Sequence, residues 1–282
     1  MEQSYIYDTP FVDSVFHPSD FSVASENAFA HALAISLIRQ TKLTILHAGG
    51  SEDAWQNFPA VRGTLERWGV LEPGSPRSAV FEDLALRVKK VAVRGRDPVK
   101  ATLHYLEQHP TDLIVLATEG REGLQRWLQP SVAERIALKS RTNTLFVPNS
   151  ARGFVSVQTG EITLQRILVP VDYHPSPLPA IEYAVRAAQV TGKPTEIVLF
   201  HVGDTARMPA LNVPKVPNVK WKTRTAEGDV VEAIARATEE AAADLVIMTT
   251  AGHEGFLDAL RGSVTQQVVR RTPCPLLAVQ TA

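Results

Sequence analysis

Near the C-terminus, TTAGHEGFLDALRGSVTQQVVRR (249–271) places Gly252, Gly255 and Gly262 ahead of Ser263 and Val264, between an apolar run and a helical pattern. Glycines let a chain turn without a Cβ clash and approach a ligand closely. The free N–H groups and dipole at the start of the next helix favour an anion. The Ser263 hydroxyl suits either of two tasks, capping that helix or donating to a phosphate oxygen. Asp172 closes LVPVD at the end of another apolar run, as Asp20 closes FHPSD. With Pro170 and Val171 it makes a strand end whose carboxylate can accept from a base amino group or a ribose hydroxyl; capping the following helix is the competing task. The glycines fit a plain strand-to-helix turn equally, and spacing alone does not choose between cradle and turn.

A second chemistry is available to His174, His201 and His253, which fall at the ends of apolar runs in the same half of the chain. With Asp172 or Asp204 they offer the nitrogen and oxygen donors that zinc accepts. A divalent metal there would support a nucleotide or phosphoester hydrolase. The plain alternative is a packed, hydrogen-bonded His201 with His174 and His253 as solvated loop residues, since no close spacing forces them together. The N-terminal half lacks the set: His47 matches His201, but Phe21-Ser22 and Arg121 stand at the other places. No nucleophile–base–orienter set is recognisable, so ligand sensing or interaction ranks ahead of turnover.

These residues need a scaffold, and the chain carries it twice. DLIVLATEGREG starts at Asp112 and DLVIMTTAGHEG at Asp244, 132 positions apart; the same step takes Asp97 to Asp229 and Ser131 to Ser263. Asp20 and Asp172 lie 152 apart, and His47 and His201 lie 154 apart. The step shrinks because 48–87, with its helix-like AVRGTLERW, corresponds to the shorter, Pro-rich 203–218. Blocks repeated in one order indicate two homologous domains, 1–150 and 151–282. Each alternates β-rich runs with helical patterns, the signature of a parallel sheet flanked by helices. In the second, strands are expected at 166–171, 195–202, 219–225, 244–250 and 275–280, and helices at 177–190, 229–243 and 263–271. Asp229 should cap the second of those helices, and 153–165 reads as a connecting hairpin turning near Thr159-Gly160. In such a sheet, ligands bind where crossovers diverge to opposite faces, so Asp172 and the glycine loop share a crevice if their strands are neighbours.

Composition limits the partners. With 29 Lys and Arg against 30 Asp and Glu, the net charge is −1, which gives no reason to expect nucleic acid or an anionic membrane. The single cysteine, Cys274, excludes an internal disulfide framework and suits a reducing compartment as a small buried filler. The N-terminus lacks the basic-then-apolar pattern of a secretion signal, and no apolar run reaches the ~20 residues of a membrane span, so a cytoplasmic location is expected.

The motifs ILVPVD, VLFHV, DLVIMTTAGHEG and GSVTQQVVRRTPCPLLAV, with FHPSDFS, TILHAG, DLIVLATEGREG and PSVAERIALKSRTNTLFVP in the first half, resemble the universal stress protein family in a tandem form. The resemblance implies two doubly wound five-stranded α/β units of the adenine nucleotide alpha hydrolase-like kind. It also implies pairing of the two domains within the chain or between subunits as a homodimer, a stress-response role, and in some members ATP or AMP as ligand. Carried over singly, Asp172 would contact the adenosine, with Pro170 and Val171 beside it, and Gly252, Gly255, Gly262, Ser263 and Val264 the phosphates. The ATP-binding members place nine residues between the second and third glycines; here six, Phe256 to Arg261, precede Gly262. In the first half Gly120 and Gly123 remain, but Pro130 precedes Ser131 and removes an N–H donor, which reads as a degenerate site.

Overall fold

The computed structural model describes residues 12–49, 54–95, 97–118, 132–149, 153–250 and 263–281, with Ala24 and Ala54 described by backbone alone. The first half runs β1 (Ser14–Pro18), α1 (Val23–Arg39), β2 (Lys42–Ala48), α2 (Ala54–Asn57), α3 (Val61–Arg67), α4 (Ala79–Glu82), β3 (Arg87–Val93), α5 (Pro98–Gln108), β4 (Leu113–Thr118), α6 (Val132–Ser140) and β5 (Asn143–Pro148). The second runs β6 (Arg166–Pro170), α7 (Leu178–Thr191), β7 (Thr195–Val202), β8 (Val219–Ala226), α8 (Val230–Glu240), β9 (Leu245–Thr250), α9 (Val264–Arg271) and β10 (Leu276–Gln280).

Capping chemistry repeats along with the motifs. Asp97 accepts from the Val99 and Lys100 N–H groups to start α5, and Asp229 accepts from Val231 and Glu232 to start α8. Pro98 at the first turn of α5 removes an N–H that has no helical partner there. α7 ends at Gly192, where φ is +62° and a side chain would be strained.

The sequence leads one to expect two five-stranded sheets; the described strands form one ten-stranded sheet, ordered β3-β2-β1-β4-β5-β10-β9-β6-β7-β8. Within each half every strand pair is parallel, and the halves meet where β10 runs antiparallel to β5, pairing Leu276 with Phe146 and Ala278 with Thr144. β5 and β10 are nearly continuous buried runs, so each loses its open edge to the other. Across this seam Arg270 of α9 donates from Nε and Nη2 to both carboxylate oxygens of Glu134 on α6, at 2.8 and 2.7 Å. Asn143 accepts from the Gln280 N–H at 2.9 Å and donates to the Tyr183 hydroxyl at 2.5 Å.

Two apolar layers sandwich the sheet. α1, α3 and α7 cover one face, packing Leu33, Leu65 and Val185 on Leu43, Val115 and Ile247. α5, α6, α8 and α9 cover the other, with Leu106, Ile136, Ile234 and Val268 on Ile114, Phe146 and Val246. Each half is thus doubly wound, with the crossovers diverging between β1 and β4 and between β6 and β9.

The connector folds back as expected: Val155 bridges Ile162 antiparallel, and Gly160 sits at φ +69°. Its attachments to the first half are polar as well as apolar. Trp68 Nε1 donates to the Val157 carbonyl at 3.0 Å, and the Val155 N–H donates to His31 Nε2 at 3.3 Å. A Cβ at Gly160 would overlap the Trp68 indole. Gly160→Ala should therefore cost about 2 kcal/mol, from backbone strain plus overpacking. Urea unfolding measures it, and an unchanged midpoint would show that the connector does not depend on this contact.

Candidate functional site

The sheet order satisfies the condition the sequence sets for a shared crevice. β6 and β9 are parallel neighbours, pairing Ile167 with Leu245 and Leu168 with Val246, at the point where the second half reverses its winding. Asp172 follows β6 and is exposed; its Oδ1 accepts from the Tyr173 N–H at 2.8 Å. Its carboxylate caps no helix: α7 begins after Pro177 without a side-chain cap, and the Ala180 N–H finds Thr249 Oγ1 of β9 at 3.3 Å. That bond ties the first turn of α7 to β9. Nothing in the spacing of Thr249 announces it.

Pro170 ends β6, and Val171 is buried. The Val171 N–H donates to the Phe200 carbonyl at 2.8 Å, and its own carbonyl accepts from His201 Nδ1 at 3.1 Å. Ser263 caps α9, accepting from the Gln266 N–H at 3.2 Å. An accepting hydroxyl still has its own proton to donate, so capping and ligand contact are compatible. Val264, the first residue of α9, is exposed. Gly252, Gly255, Gly262 and His253 lie outside the described residues.

Of the histidine set, His174 and His201 are described. Among the described residues, no three His, Cys, Asp or Glu side chains stand where they could hold a metal ion. His201 is the packed, hydrogen-bonded histidine of the plainer reading: a carbonyl fixes Nδ1 as the protonated nitrogen, and Nε2 faces Gly203, where a Cβ would lie 3.0 Å away. His174 is exposed. His47 repeats the His201 arrangement, with Nδ1 donating to the Ser19 carbonyl at 2.8 Å. In both halves, then, this histidine pins the end of the second strand to the chain leaving the first.

The matching crevice of the first half differs in both of its leading residues. Asp20 accepts from Ser22 N–H, Ser22 Oγ and Ser25 Oγ, at 3.0, 2.6 and 2.7 Å. Burial disfavours its charge, but these hydrogen bonds outweigh burial and hold its pKa below the ordinary carboxylate value. Phe21, at φ +63°, stacks on His47 with ring centroids 4.0 Å apart and planes 17° apart. Its counterpart Tyr173 is 59% exposed. Gly120, Arg121, Gly123, Pro130 and Ser131 lie outside the described residues.

Cys274 is buried, as the sequence suggests, and no described helix is long and apolar enough to cross a membrane.

Comparison with known proteins accords with this architecture. The sequence model of the universal stress protein family matches residues 13–148 and 215–280. A universal stress protein of Methanocaldococcus jannaschii is 26% identical over 147 residues, covering 44% of this chain and 86% of the relative. The crystal structure of a universal stress protein from Archaeoglobus fulgidus superposes with a TM-score of 0.62 at 17% identity, over 96% of this chain and 99% of that one. A functionally unknown protein from Pseudomonas aeruginosa gives a TM-score of 0.62 at 12% identity, over 95% and 92% of the two chains. These superpositions share the doubly wound, mostly parallel α/β fold expected from the sequence.

Proposed function

The chain belongs to the universal stress protein family, and on that premise we propose that it is a ligand-sensing module that binds an adenine nucleotide, ATP or AMP, in its second half. The two units, 1–150 and 151–282, then have different tasks, the first structural and the second ligand-holding. The observation that carries this reading is the exposed Asp172 carboxylate at the winding switch between β6 and β9, not consumed by any helix cap. An ionised carboxylate is an acceptor only, which suits an exocyclic amino group or a ribose diol. The N-terminus of α9, with the Ser263 proton and the glycines of the preceding loop, supplies donors for phosphate. The loop being three residues shorter than in ATP-binding members favours the smaller phosphate of AMP over the triphosphate. The metal-dependent hydrolase reading has less behind it: among the described residues no three His, Cys, Asp or Glu side chains stand together, and His201 is buried.

Equilibrium titration with AMP and ATP tests the assignment. Asp172→Ala should weaken binding about 10- to 100-fold, the worth of a hydrogen bond to a charged group, and no phosphate should be released on prolonged incubation. Equal affinity in Asp172→Ala and the unaltered protein, or the absence of nucleotide binding altogether, would overturn it.

A further inference from the structure

We infer that a polar groove at the junction of the two halves holds a small zwitterion, an amino acid or a dipeptide, between Arg166 and Glu26. The inference does not rest on the nucleotide reading of the second half. Arg166 opens β6 and Asp244 immediately precedes β9, so the groove lies at the amino ends of these strands, whereas Asp172 follows the carboxyl end of β6.

Three walls border about 760 Å³ of space. That volume is ordinary for a small-molecule site, and such sites favour junctions between domains. The first turn of α1 contributes Glu26 and Asn27, the connector contributes Gln165, and the strand ends contribute Arg166 and Asp244. Most of the charges there are engaged. Lys193 Nζ donates to the Ile162 carbonyl at 2.7 Å and faces Glu161 at 3.6 Å. Asp244 is buried, and its Oδ2 accepts from the Gln165 and Arg166 N–H groups at 3.0 and 2.9 Å.

Among the described lining residues, one cation and one anion remain uncommitted. Arg166 Nη2 stands 3.8 Å from Asp244 Oδ1, too far for a hydrogen bond, and Arg166 Nε is buried without a partner. Glu26 is exposed, and no described cation reaches it. The repeat shows that the strand bracket itself does not need Arg166. In the first half Asp112 takes the place of Asp244, and Ser14, 152 positions before Arg166, donates its Oγ to Asp112 Oδ2 at 2.8 Å. A hydroxyl completes that bracket; the second half has a guanidinium instead. Guanidinium binds a carboxylate as a two-pronged fork, and Glu26 suits an ammonium. A ligand carrying one charge of each sign answers both, while a lone anion or cation leaves one unanswered. The side-chain amides of Asn27, Asn149 and Gln165 add donors and acceptors for a peptide group or a polar side chain.

Calorimetric titration of the full chain with L-glutamine and with L-alanyl-L-glutamine, each to about 10 mM, tests the inference. At least one should bind once per chain, and the tighter of the two tells amino acid from dipeptide. Arg166→Ser copies the first-half arrangement, so it should fold normally and bind about 10-fold more weakly or worse. The C-terminal amide of the bound probe, which lacks the carboxylate, should bind the unaltered protein as weakly and lose nothing further in Arg166→Ser. Glu26→Gln, an exposed change on α1, is the second variant and should be indifferent to N-acetylation of the probe in the same way. Asp172→Ala should bind as the unaltered protein does. The inference is overturned if neither probe binds, if Asp172→Ala abolishes binding, or if Arg166→Ser still prefers the acid to its amide.

Discussion

Lowering the pH from 7 to 5 should destabilise the protein by about 4 kcal/mol, and to pH 4 by about 6, through two buried histidines. His17 and His31 are fully buried, and burial pulls the pKa of each down from the ordinary 6.5 to about 4. For His17, the Val115 carbonyl and the charge of Asp20 oppose burial without overcoming it; for His31, the Asn27 carbonyl does the same. The folded state therefore binds fewer protons than the unfolded chain between pH 6.5 and 4, and stability falls as pH falls through that window. Above about pH 7 both histidines are neutral in either state and their effect vanishes. Geometry explains why protonation is resisted. His17 Nδ1 donates to Val115 at 3.0 Å, while Nε2 is buried with no hydrogen-bond partner, so a second N–H would have nowhere to point. His31 Nδ1 donates to Asn27 at 2.8 Å, and Nε2 must stay unprotonated to accept from Val155. Urea unfolding at pH 7.5, 6 and 5 measures the slope. His31→Gln should roughly halve it whatever its effect at neutral pH. An unchanged slope in that variant would remove His31 from the account.

Arg270→Met should cost about 2–3 kcal/mol. Glu134 is 7% exposed, and loss of the guanidinium strips a nearly buried carboxylate of its two-pronged partner. Breaking a fully buried pair costs about 3–5 kcal/mol, and the smaller figure reflects the one-third exposure of Arg270. The hydrogen bonds that Arg270 donates to Glu134 also hold the guanidinium pKa above its ordinary value, so Arg270 stays charged. Replacing both residues with methionine should recover most of the loss, since two apolar side chains leave no buried charge behind. Chemical unfolding of the two single variants and the double variant completes the cycle. If the double variant is as unstable as Arg270→Met, the cost lies in packing and not in the stranded charge. No such pair exists at the repeat-related positions, where Leu138 and Gln266 stand 132 residues from Arg270 and Glu134. Among the described residues, the repeat therefore does not supply a second copy of this pair.

Much of this architecture could be read from residue order. The offsets of 132 and 152–154 anticipate β4 with β9, α5 with α8, and Asp20 with Asp172, because one backbone repeated needs the same caps and apolar runs twice. The Asp229 cap and the fully buried β9 follow from Asp at a helix start and from an unbroken LVIMTT. The fused sheet does not follow. The apolar runs of β5 and β10 announce burial on both faces of a strand but carry no mark of which neighbour closes its edge. Asp172 after a strand and Ser263 at a helix start were legible in the sequence. The partner of His201 was not: its Nδ1 meets the Val171 carbonyl, 30 positions back along the chain. The exposed Tyr173 and inward Phe21 were also unreadable, since both are aromatic residues following the same aspartate. Only the handedness of one φ angle and the company of Phe58 separate them.

The antiparallel join of β5 to β10 reverses the direction of every strand from one half to the other. The carboxyl ends of β1 and β4 thus lie on the opposite rim of the molecule from those of β6 and β9. A guest entering one rim is sterically invisible at the other, and any message between them has to travel along the full length of the strands.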